Sequence, residues 1–187
     1  MKILFLAFVF LIITLSAKAE VLKGSVKQFE GYSALQTAKG DRVILPKWID
    51  SKILVKDQNH EMLIEGAIRK IACVGQPETC ATGEIQKIKW IQYQNTKVIS
   101  RNIVYAGIVK RYQGQAIESF YFYDYIAFES HNQRIEIPAF LNPIKLLQLE
   151  TRVTLIGEAH PVICTDMSDA CGPSKLSSVT MIKLQFK

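Results

Sequence analysis

Gly24-Ser25-Val26-Lys27-Gln28-Phe29-Glu30-Gly31 returns later in the chain, in altered form, as Gly107-Ile108-Val109-Lys110-Arg111-Tyr112-Gln113-Gly114. The likeness continues downstream in the same order. Arg42-Val43-Ile44-Leu45-Pro46 parallels Arg134-Ile135-Glu136-Ile137-Pro138. Gly66 and Gly157 each stand seven residues before a cysteine, and the pairs Cys73/Cys80 and Cys164/Cys171 have six residues between them. Matches in one order at a nearly constant offset read as a tandem repeat. The offset widens around Gln115 to Ser119, where the second copy carries extra residues. The polar stretch from Asn95 to Arg101 marks the boundary, giving copies over residues 20–97 and 98–187, each long enough for a small core of its own.

Within the second copy, Ile103–Tyr112, Phe120–Glu129 and Arg134–Phe140 are rich in β-branched and aromatic residues and read as three strands. Asn142-Pro143 supplies a helix cap followed by proline at the first helical position. Arg152–Ala159 and Val179–Phe186 complete the set, with the cysteine loop between them. The first copy repeats this order: strands at Leu22–Phe29, Tyr32–Thr37 and Arg42–Leu45, a helix capped by Asp50 or Ser51, then strands at Met62–Ala72 and Ile85–Tyr93. The expected fold class is therefore all-β with short helices.

Three strands, a short helix and two more strands, with a glycine in the first strand, resembles the OB-fold superfamily. The resemblance spans nearly all of the chain, twice, and is one of fold alone. It implies two tandem five-stranded OB-like barrels, and it carries little information about function.

The first nineteen residues stand outside this repeat. Met1-Lys2, an apolar run from Ile3 to Ile13, and small residues up to Ala19 have the layout of a secretory signal peptide cut after Ala19. The run is too short for a permanent membrane span, so the expected mature protein carries no transmembrane anchor. The chain of 187 residues has a formal net charge of +6; loss of Lys2 and Lys18 with the leader lowers it to +4, split as +3 over 20–97 and +1 over 98–187. So small a charge on an exported protein argues against nucleic acid as the partner. Export to the periplasm, or full secretion, places the four cysteines where thiols oxidise. Four cysteines allow three pairings. A duplicated domain that closes its own bridge in each copy selects Cys73–Cys80 and Cys164–Cys171. Zinc sites usually space paired cysteines more closely, so no metal site is expected.

The most unusual stretch is Ser119-Phe120-Tyr121-Phe122-Tyr123-Asp124-Tyr125-Ile126-Ala127-Phe128. Strand alternation turns Phe120, Phe122, Ile126 and Phe128 to the core and Tyr121, Tyr123 and Tyr125 outward. Tyrosines combine apolar area with a hydrogen-bonding tip, and Arg134 on the next strand projects to the same side. Arg42 is its counterpart in the first copy, and Ser33 is the expected counterpart of Asp124. The row would serve a ligand or partner, or equally cover the junction between the copies. His60, His131 and His160 fall near turns or strand ends and read as surface or turn residues instead of ligands or bases. No catalytic motif is present: no Gly-x-Ser-x-Gly, Walker-type loop or His-Glu-x-x-His. The expectation is a non-enzymatic, cofactor-free binding protein. Its partner would be another exported protein, in an inhibitor, immunity or assembly role, or alternatively a cell-envelope glycan.

Overall fold

A computed structural model describes residues 19–74, 79–97, 101–115, 122–162 and 171–187. Residues 1–18 of the expected leader, with Phe120, Tyr121 and Cys164, lie outside them, while Ala19 opens the first strand. The elements are β1 (Ala19–Phe29), β2 (Tyr32–Thr37), β3 (Arg42–Ile44), α1 (Ser51–Lys56), β4 (His60–Lys70) and β5 (Gly83–Asn95), followed by β6 (Ile103–Gln115), β7 (Phe122–Ser130), β8 (Gln133–Ile135), α2 (Pro143–Gln148), β9 (Arg152–His160) and β10 (Lys175–Gln185). The protein is mostly β, and the second half repeats the element order of the first.

The ten strands form one sheet, ordered β3-β2-β1-β4-β5-β10-β9-β6-β7-β8, and the order reads the same from either end. Each half also folds back on itself. β3 pairs in parallel with β5 through Val43–Gly83 and Ile44–Glu84, and Ile135 of β8 makes a parallel bridge to Ser174. The same backbone bond secures both returns: Thr82 N–H donates to the Arg42 carbonyl and Ser174 N–H to the Arg134 carbonyl, each at 2.8 Å.

The halves join with the register of a two-fold interface. Between β5 and β10, Gln92 faces Lys183, its own counterpart when Cys80 is set on Cys171, and Ile91 and Tyr93 face Leu184 and Ile182. Ile49 bridges to Leu141, again its counterpart. Asp50 N–H donates to the Phe140 carbonyl at 2.7 Å while Asn142 N–H donates to the Trp48 carbonyl at 2.8 Å. A single hydrophobic core runs through both halves, with Ile64, Ile91, Leu155, Ile182 and Leu184 almost wholly enclosed.

Local chemistry explains the elements. β4 alternates buried Met62 and Ile64 with more accessible Glu61, Leu63 and Glu65, the period of a strand with one face in the core. Asp50 caps α1 through its carboxylate, accepting from the N–H groups of Lys52 and Ile53, and Asn142 caps α2 by accepting from Lys145 N–H. Each six-residue helix buries one leucine, Leu54 or Leu146, at corresponding positions. Gly24 and Gly107 occupy the same point in each half. A Cβ there would lie 2.0 Å from the Gln36 carbonyl oxygen or 1.6 Å from that of Glu129. Gly24 is the residue at which β1 changes neighbours from β4 to β2.

Two expectations need correction. The third strand of the second half ends at Ile135 instead of running to Phe140. Pro138 has no N–H for a ladder, and its carbonyl accepts from Leu141 N–H, turning the chain away to meet Ile49. His60 is not a surface residue. It is 4 % exposed, its Nε2 accepts from Val26 N–H at 3.0 Å, and its Nδ1 bonds the Asp57 carbonyl.

Cys73 and Cys80 form a disulfide with Cα atoms 5.7 Å apart. Cys171 is also disulfide-bonded, and its expected partner Cys164 lies outside the described residues. Replacing both Cys73 and Cys80 with serine frees a short loop in the unfolded chain. The expected loss is about 2–3 kcal/mol, read as a lower urea midpoint.

Candidate functional site

One strand pair is longer in the second half. In the first half, Phe29 faces Tyr32 across a turn of Glu30 and Gly31. In the second, Tyr112 faces Tyr125, and the strands continue outward through Gln113–Asp124, Gly114–Tyr123 and Gln115–Phe122. By register the counterpart of Tyr125 is Tyr32. Asp124 belongs to the extension and has no counterpart, so the expected match with Ser33 does not hold.

Tyr123, Tyr125 and Arg134 come together as expected, and they recruit Tyr112 and Glu129. Tyr125 stacks on Tyr112 with centroids 5.6 Å apart and meets Tyr123 at a tilt of 40°, with centroids 5.8 Å apart. The Arg134 guanidinium lies 4.7 Å above the Tyr112 ring. Arg134 Nη1 donates to Tyr125 Oη at 3.2 Å, and the Tyr125 hydroxyl donates to the Cys171 carbonyl at 2.6 Å. Cys171 is thereby held against the aromatic stack. Tyr112 OH donates to the Glu129 carboxylate, which also takes Lys110 Nζ at 3.0 Å. The Tyr112 bond, then Lys110, hold Glu129 below the usual carboxylate range. Burial, reinforced by that carboxylate, pushes the Tyr112 phenol up, so the ring stays neutral.

Tyr123 differs from the other two. It is 43 % exposed, yet its ring has a built seat. A Cβ on Gly114 would lie 2.7 Å from its Cζ, and one on Gly172 would lie 3.1 Å from its hydroxyl. Two glycines thus leave the space into which the ring settles. Beside it opens a groove of about 630 Å³ lined by Glu129, Asn132, Gln133 and Arg134 on one bank and by Cys171, Gly172 and Ser174 on another. The described contacts of the row all lie in the second half, and the junction of the halves is made by other residues. Tyr121 lies outside the described residues.

The first half holds a simpler version. Arg42 sits 4.5 Å over the Phe29 ring, which stacks on Tyr32 at 5.4 Å. It lacks the hairpin extension, and with it any equivalent of Tyr123. The sequence pointed to Arg42 but not to Phe29 and Tyr112. The signal was their shared place five residues after the repeated glycine. No protein-family model, curated protein or solved structure matches the chain.

Proposed function

We propose that the protein is an exported, non-catalytic binding protein built from two duplicated OB-like barrels, which recognises another periplasmic or secreted protein through the tyrosine cluster of its second half. Support for the barrels comes from the parallel β3–β5 pairing and the Ile135–Ser174 bridge, and support for duplication from the glycines that meet equivalent carbonyls in both halves. The leader-like first nineteen residues and the Cys73–Cys80 bridge support export.

Tyr123 carries the reading. It is a large, half-exposed aromatic ring seated on two glycines and backed by Tyr125, whose hydroxyl takes the Arg134 guanidinium, and one of those glycines, Gly172, also lines the polar groove. Tyrosine and arginine dominate interface hot spots, and a ring already fixed in place loses little entropy on binding. Tyr123→Ala should abolish capture of the partner from cell-envelope extracts while leaving the urea midpoint within about 0.5 kcal/mol of wild type. Gly114→Ala should separate site from fold in the same way, since its Cβ displaces only the far end of the Tyr123 ring. Unchanged capture by both variants would remove the cluster from the function. The polar lining of the groove also favours the envelope-glycan reading; retention on purified cell-wall material, lost with Tyr123→Ala, would select it.

A further inference from the structure

A second groove, of about 390 Å³, opens where the halves meet. Its floor is apolar. Trp48 and Phe186 meet with ring centroids 5.5 Å apart, and Ile88 and Leu149 flank them, all four half-buried. Its rim is cationic. Lys87 and Lys145 are exposed and join no ion pair among the described residues, while Lys187 is bound to Glu150 at 2.7 Å.

The local two-fold supplies an internal comparison. Phe140 is the counterpart of Trp48, and its ring lies 4.9 Å from Tyr93. Asp57 and Asn95 stand where the open groove has Leu149 and Phe186. Tyr93 OH donates to the Asp57 carboxylate, which also accepts from Asn95 Nδ2 at 3.1 Å. One of two related positions therefore holds a hydrogen-bonded polar network, and the other is open, apolar below and positive above.

We infer that the open groove binds a small anionic amphiphile, with the apolar body over Trp48 and Phe186 and the carboxylate or similar head between Lys87 and Lys145. The volume falls in the range of small-molecule sites, which favour domain junctions. Burying the aromatic floor supplies the affinity, and charge-assisted bonds from the two ammonium groups select an anion over a neutral chain. This site is separate from the tyrosine cluster and does not depend on it.

Trp48 reports on its own site. The chain has two tryptophans, so Trp90→Phe leaves Trp48 as the only indole. Titrating that protein with octanoate should change Trp48 emission saturably. Adding Lys87→Ala and Lys145→Ala should raise the half-saturating octanoate concentration at least ~5-fold, a modest charge effect. Octanol should respond equally in both proteins. The inference is overturned if octanoate gives no saturable response, or if the lysine replacements weaken octanol as much as octanoate. A response that follows protein concentration would overturn it too, by assigning the groove to a second copy of the chain.

Discussion

Gly107→Ala will unfold at a much lower urea concentration than the wild type, losing about 3–4 kcal/mol. The new Cβ would fall 1.6 Å from the Glu129 carbonyl oxygen and 2.6 Å from its carbon. Both are backbone atoms, so no rotamer change relieves the overlap and β6 must part from β7. That hairpin carries Tyr112, Tyr123 and Tyr125, so capture of the partner should fall along with stability. Gly24→Ala, at 2.0 Å from the Gln36 carbonyl, should act in the same direction. Gly31→Ala is the control. Gly31 has φ +80° in an open turn with nothing within 4 Å of its would-be Cβ. Only the left-handed conformation is penalised there, at about 1–2 kcal/mol. Equal losses at positions 31 and 107 would mean that the strands are not in this close register.

His60→Ala should cost about 3 kcal/mol by the same measurement. Val26 N–H points at Nε2, so that nitrogen is the acceptor and the ring proton sits on Nδ1, bonded to the Asp57 carbonyl. The ring also stacks against Tyr93 with centroids 5.8 Å apart. Truncation leaves a buried donor and a part-buried acceptor without their ring partner and opens a cavity beside Tyr93. His60→Gln should recover part of the loss by offering an amide oxygen to Val26. The second half fills the corresponding place with Thr151, whose hydroxyl donates to the Leu146 carbonyl at 3.0 Å. A loss under about 1 kcal/mol for His60→Ala would show that the imidazole is not a structural strut.

Much of this architecture was legible because the two halves share one order of elements. Gly24 and Gly107, the Asn142-Pro143 cap and the Cys73/Cys80 spacing each name a local constraint, and each appears at its place among the described residues. Less was legible wherever the two halves differ. The hairpin extension hid the register, so Tyr32 was not matched with Tyr125, and Tyr112 read as one more strand residue. His60 has no repeated partner, and its burial depends on Val26 and Tyr93, which come from other strands. Trp48 and Phe186 are distant in sequence and meet only through the two-fold junction, which no local pattern encodes. The Tyr123 seat requires Gly114 and Gly172 together, and these are distant in sequence.

Site-specific photocrosslinking in the cell envelope tests the central proposal most directly. Asn132 is exposed on the groove beside Arg134, so a photoreactive residue there leaves the tyrosines intact. The account predicts one discrete adduct with an exported protein. A hot-spot loss of about 2 kcal/mol or more should reduce that adduct at least ~30-fold when Tyr123→Ala is added. An adduct that persists undiminished with Tyr123→Ala, or the absence of any protein adduct from position 132, would contradict it.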